Sequence, residues 1–238
     1  MTEKTTNEAR LPAGAAPGSA DWFWGGLGLL RDSWSPERHP FNRRWLEGGL
    51  SQEALRSATS EFDHVVLAMA DVCERAAAAD SGTGSGRELR RIAAEERDTV
   101  ALWRRFARST GWSGGTAHYY AADPSQATLE CVSTCVGIEQ RPLALDLVTL
   151  YAVELDRPLV NRIRLESLKQ AYGVEDGPAT DYFRLYAERG TEEVAAIQTA
   201  LDPLLETADA FALLRHAEAV LRSRWRLLDA CEEYAANS

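Results

Sequence analysis

The chain has 238 residues, 45% of them apolar and 26% charged, enough to enclose one full core or two small ones. A net charge of −10 argues against a nucleic-acid footprint. The longest apolar run, Trp22 to Leu30, is too short to span a bilayer, so no membrane partner is expected.

Residues 1–20 are small, polar and rich in Pro and Gly, and read as a disordered tail ahead of one helical domain over 21–238. The aromatic stretch DWFWGGLGLLRDSW reads either as a helix packed on the domain or as a contact with a partner. Ser35-Pro36 then starts a helix that Gly48-Gly49 stops. Ser51 caps a long helix to about residue 79, with Leu55, Phe62, Val66, Met69 and Cys73 on one stripe. A flexible loop at 80–86 precedes a helix over about 87–109. Asp123-Pro124 starts another to about Gly137, and further helices cover about 142–173, 181–201 and 208–234. Strand alternation and two-residue hairpin turns are missing throughout, which predicts an all-α bundle of about seven helices. Cys73, Cys131, Cys135 and Cys231 lack zinc spacing and no signal peptide precedes them. We read them as reduced thiols of a cytoplasmic protein.

Three helices each carry a glutamate on an apolar stripe. In RELRRIAAEERDTVALWRRFARS the stripe is Leu89, Ile92, Glu96, Thr99, Trp103 and Phe106, with the arginines opposite. In the 142–173 helix, Leu147, Leu150, Tyr151, Pro158 and Leu165 surround Glu154. In DYFRLYAERGTEEVAAIQTAL the stripe is Phe183, Tyr186, Gly190, Glu193, Ile197 and Leu201. One such glutamate reads as a helix edge or an arginine's partner. Three together point to a shared site, because buried carboxylates are costly and converge where they are used. Pro158 cannot donate to the carbonyl of Glu154, so a kink is expected there. The missing side chain of Gly190 is expected to leave room for a cavity.

Several of these stretches resemble the heme-oxygenase-like superfamily, which includes TenA thiaminases, PqqC and CADD-type di-iron oxidases. The matching stretches are HPFNRRWLEGGLS, EERDTVALWRRFARSTG, YAVELDRPLVNRIRLESLKQAYG and YFRLYAERGTEE, in the family's order from about residue 35 to 234. The resemblance implies a heme-oxygenase-like bundle. In di-iron members the pattern supplies glutamate, histidine, glutamate, then histidine, aspartate and histidine as ligands. Here the glutamates fall on Glu96 and Glu154. The first histidine position holds Thr99 (or Asp98, if the register slips by one), and the last three hold Tyr186, Gly190 and Glu193. None of His39, His64, His118 and His216 matches a ligand position.

The resemblance therefore implies a small-molecule biosynthetic enzyme, oxidative in the first reading, with Glu96, Glu154 and Glu193 as an atypical metal site. Without imidazoles such a site would bind iron or manganese weakly, so the cofactor expected is loosely held iron or none. A metal-free version would use Glu154 or Glu193 as general base and Tyr186 as proton donor. Tyr151 and Arg162 are candidates for holding a substrate carboxylate, and Thr99 and His64 for lining the site. The alternative is a catalytically silent relative that binds a ligand or a partner subunit. A heme-degrading enzyme comes third, because His39 between Arg38 and Pro40 is poorly placed as an axial ligand. The partners expected are a small-molecule substrate and a second copy of the chain.

Overall fold

A computed structural model describes residues 14–79, 85–111, 124–138 and 140–238. The described residues contain no strand and form nine α-helices, two more than expected. One of the extra two is α1 (Ala20–Trp34), the aromatic stretch. Ser19 caps it by accepting the Trp22 amide, and Trp22, Phe23 and Leu27 are buried, with the Trp22 ring on Phe211. It is a packed helix and not a free contact surface. The first thirteen residues of the expected tail lie outside the described residues, as do 80–84 and His118, and its last residue, Ala20, opens α1.

A 3-10 turn (Pro36–Arg38) leads to α2 (Pro40–Leu46), so the helix starts at Pro40 and not at Pro36. His39 is its cap, accepting the Phe41 amide at 3.1 Å. α2 stops at Gly48, whose φ of +70° suits glycine and whose absent Cβ lets Ala171 approach. α3 (Gln52–Ala79) begins at Ser51, which accepts the Ala54 amide, and packs along α4 (Gly86–Ser109). α5 (Gln126–Val136) is capped by Ser125, two residues later than the Asp123-Pro124 reading placed the start. All four cysteines are buried free thiols. Among the described residues, no helix is long and apolar enough to cross a membrane.

The second extra helix comes from the 142–173 segment. A kink near Glu154 was expected, and the structure has a full break: α6 (Leu143–Glu154), a two-residue turn, then α7 (Arg157–Gln170). Pro158 lies in the first turn of α7, where a missing amide costs no hydrogen bond. The last bond of α6 joins the Leu155 amide to the Tyr151 carbonyl, and the ladder resumes at Val160 to Asp156. The sequence drew attention to the Glu154 carbonyl. The carbonyls that receive a replacement donor are those of Ala152 and Val153, both bound by Arg224 Nη1 at 3.1 and 3.2 Å. Asp156, in the turn, is buried and bound by Arg31.

α8 (Asp181–Leu201) lies against α7, and a second 3-10 turn (Asp202–Glu206) leads to α9 (Ala210–Asn237). α6 is buried on all sides and contacts α3, α8 and α9, which makes it the centre of the core. Gly190 does not open a cavity. A Cβ there would meet Pro158 Cγ at 2.6 Å, so the proline ring fills the space the glycine leaves and sets how closely α7 and α8 cross.

Candidate functional site

α4, α6 and α8 each bring one glutamate to the same point. Glu96, Glu154 and Glu193 are only 2%, 3% and 4% exposed, and each offers an oxygen within 4.8 Å of the others. Each also keeps one buried oxygen with no hydrogen-bond partner, the Oε2 atom in all three. Stranding such atoms is expensive, on the order of 1–3 kcal/mol apiece. From α3 the buried Cys73 thiol faces the group. Its pKa is pushed well up by burial and then by the three carboxylates, so it stays neutral.

The cation in the cluster is Arg157, which the sequence reading did not single out. Its Nη1 donates to Glu96 at 3.0 Å and to Glu154, and its Nη2 to the Tyr182 hydroxyl at 3.2 Å. The guanidinium carbon lies 3.7 Å from the Tyr186 ring centroid. Burial alone would lower the Arg157 pKa. The charges of Glu154 and Glu96 outweigh it, and the guanidinium stays charged. The Tyr186 phenol donates to Glu96, and burial pushes its own pKa well up.

Three negative charges against one positive leave two to be neutralised. Burial, partly offset by Arg157, raises Glu154 to about 7. Burial followed by repulsion from Glu154 and Glu96 raises Glu193 to about 8. Near neutral pH the cluster therefore holds protons of its own, with Arg157 tying down part of the remaining charge.

Two protons or one divalent cation would balance the same charge. Three convergent carboxylates with partnerless oxygens fit one hard cation, which Glu96, Glu154 and Glu193 would hold. The two-iron set implied by the resemblance does not fit. The Thr99 hydroxyl donates back to the Glu96 carbonyl at 2.7 Å, Tyr186 is committed to Glu96, and Gly190 is packed against Pro158.

Beside the cluster is a cavity with ≈ 80 Å³ of space for water centres, where a single water needs roughly 10–15 Å³. It has room for several waters, or for one ring-sized molecule in their place. The three glutamates do not line it. Arg157 does, together with Arg164, Arg224 and aromatic walls that include Phe62, Trp103 and Trp225.

Four of the candidate residues lie elsewhere or face away. Arg162 is exposed, because the break at Leu155 and Asp156 resets the helical phase and turns Arg157, Asn161 and Arg164 inward. Tyr151 is half-buried, with its ring on Trp24 of α1, outside the cavity lining. His64 lines a separate hollow between α3, α4 and α5, since its position on α3 points away from α6. Thr99 is buried next to Glu96 but bonds within its own helix. His39 caps α2, and its other ring nitrogen is 3.0 Å from Asp229, so it is no axial ligand. Arg157 and Arg164 had one legible signal. Proline in a first turn marks a helix start, and counting from there puts residues 157, 161 and 164 on one face.

No family model matches the chain. Two curated proteins named 4-aminobenzoate synthase are each 26% identical to it. The one from Nitrosomonas europaea matches over 218 residues, 84% of this chain and 87% of that protein. The one from Chlamydia pneumoniae matches over 196 residues, 80% of this chain and 86% of that protein. Among solved structures, a TenA homolog from Pseudomonas syringae superposes with a TM-score of 0.73 at 12% identity, covering 92% of this chain and 98% of its own. A CADD-like protein from Nostoc punctiforme gives 0.67 at 14% identity, covering 90% and 98%. Heme oxygenase-1 from Synechocystis in complex with heme gives 0.65 at 15% identity, covering 89% and 94%. These likenesses, with the all-helical architecture, give the chain the heme-oxygenase-like fold of the superfamily its helix motifs resemble.

Proposed function

We propose that the chain is a biosynthetic enzyme that forms or processes an aromatic acid of the 4-aminobenzoate class. Its site would be the carboxylate cluster together with the adjoining cavity. The observation that carries this reading is the convergence of three buried carboxylates, each with a partnerless oxygen. A helical bundle with no use for them would be more stable with apolar side chains there. The similarity to two 4-aminobenzoate synthases along most of their length supports the product class.

A hard divalent ion such as iron or manganese, when bound by Glu96, Glu154 and Glu193, would supply oxidative chemistry. The chain's own residues do the rest. Arg157 donates to Glu96 and Glu154 and fixes their orientation. Without a metal, Glu193, raised to about 8, and Glu154, raised to about 7, are the carboxyls that hold or give up a proton near neutral pH. Tyr186 donates its phenolic proton to Glu96 and closes that side of the cluster. A ring-sized substrate among the tryptophan and phenylalanine walls would displace water and so strengthen each charge interaction there. A second reading, a metal-free acid–base enzyme, is favoured by Arg157, an internal cation already seated between Glu96 and Glu154.

The test is growth rescue of a bacterial strain that cannot make 4-aminobenzoate, with the Nitrosomonas protein as positive control. Rescue by the wild-type chain and its loss in Glu193→Gln are expected. Soluble, folded protein that fails to rescue while the control succeeds would refute the product class. Metal analysis after iron or manganese loading separates the two readings: bound metal lost in Glu193→Gln favours the first, and rescue by protein that takes up none favours the second.

A further inference from the structure

The protein carries ten more negative than positive charges, yet among the described residues the cavity beside the cluster is lined by three arginines and no carboxylate. Arg157 is neutralised from behind by Glu96 and Glu154. Arg164 is not. It is 8% exposed, its Nη2 donates to Asn42 Oδ1 at 2.7 Å, and its Nε has no partner. Its guanidinium lies over the rings of Trp45 and Phe62, 4.6 and 5.0 Å from their centroids. Asn42 is held in turn by the Pro36 carbonyl, so the guanidinium is fixed in place. Burial lowers the Arg164 pKa to about 10, against smaller upward effects of Tyr182 and Cys231 and with a further lowering by Arg224. The bonds of Arg224 go to the Ala152 and Val153 carbonyls and reach no carboxylate.

We infer that this cavity binds an aromatic carboxylate, with the acid group on Arg164 and Arg224 and the ring among Phe62, Trp103 and Trp225. A buried guanidinium without a counter-ion is costly by itself, and an organic anion is the group that would relieve it. Arginine's fixed fork of donors suits a planar carboxylate, and the aromatic walls suit a ring. The inference rests on reading this cavity as the substrate site, and it identifies Arg164 in place of the exposed Arg162.

Binding is followed by quenching of tryptophan fluorescence, with 4-aminobenzoate as the anionic probe and 4-aminobenzamide as its neutral isostere. The wild-type protein is expected to favour the anion, and Arg164→Gln to weaken the anion by about 10- to 100-fold. The amide should change by less than about threefold, since a neutral group gains little from a charge-assisted bond. Arg164→Gln should also melt higher than wild type without ligand, because it removes an uncompensated buried charge. A measurement that needs no variant is the thermal shift of the wild type, which 4-aminobenzoate should raise and 4-aminobenzamide should not. Equal binding of both probes to the wild type, or anion binding untouched by Arg164→Gln, would overturn the inference. Growth rescue with Arg164-independent binding would overturn it and leave the product class standing. Arg164-dependent anion binding without rescue would do the reverse.

Discussion

Replacing Glu193 by glutamine tests the charge balance of the cluster most directly. In the unfolded chain this carboxyl loses its proton near 4.5, whereas in the fold burial and the neighbouring glutamates hold it to about 8. Between those values the folded state binds more protons, so stability is greatest at acid pH and falls as pH rises toward 8. At about 1.36 kcal/mol per pH unit, the stretch from pH 6 to 8 sets a ceiling of roughly 2.7 kcal/mol for this one group. Glu154 draws on the same field, so about 2 kcal/mol is the expected loss in wild type between pH 6 and 9. Glutamine carries no charge to lose, and its amide can donate to a partnerless oxygen of Glu96 or Glu154. Urea unfolding of chelator-treated protein at pH 6 and pH 9 gives both values. The wild type should lose about 2 kcal/mol over that interval and Glu193→Gln clearly less, and the variant should be the more stable of the two at pH 9. Parallel pH profiles would mean that Glu193 titrates normally, and the charge argument would fail.

Arg157→Met should destabilise the protein by about 3 kcal/mol at pH 8, because it leaves Glu96 and Glu154 without their cation, and by less at pH 5, where Glu154, raised to about 7, holds a proton. A loss independent of pH would show that Arg157 matters for packing and not for charge. Glu154→Gln should raise the urea midpoint of the metal-free protein slightly at pH 8 and abolish growth rescue; intact rescue would remove Glu154 from the chemistry. Gly190→Ala drives a methyl group against the rigid ring of Pro158, 2.6 Å from Cγ, and should cost about 1–3 kcal/mol in urea unfolding. An unchanged midpoint would mean that α7 and α8 separate freely at their crossing.

The fold was legible because its signals are local. Stripes at three-and-four spacing marked the helices, and Gly48, Gly111, Gly137 and Gly173 follow helix ends at positive φ, where the stops were expected. The glutamates were legible for the same reason: Glu96 and Glu193 each interrupt an apolar stripe on one continuous helix, and Glu154 follows Leu147 and Leu150 at the end of α6. The cations were not. Finding Arg157 and Arg164 required the helical phase of α7, and that phase was carried through Leu155 and Asp156 as if the helix were unbroken. A proline read as a kink keeps the phase, and a proline read as a first-turn residue resets it. The same misreading put Arg162 inside and made Gly190 look like empty space, because the ring that fills it comes from Pro158 across a helix crossing. Contacts between helices distant in sequence leave no periodic trace in either one.

The interior is divided by Arg157 into two regions of opposite uncompensated charge. On one side, three carboxylates share a single cation, and near neutral pH protons on Glu154 and Glu193 make up part of the difference. On the other, Arg164 and Arg224 line an aromatic cavity, and their bonds reach an amide and backbone carbonyls but no carboxylate. Either region alone lowers the stability of the fold, since buried charge without a partner is strongly unfavourable. The two do not cancel by pairing with each other, because Arg157 is the residue that contacts both and Glu96 and Glu154 already hold it. A leucine or methionine at residue 164 would remove one of these charges at once. Two adjacent imbalances of opposite sign are what a site would show if it receives a cation on one wall and an organic anion on the other.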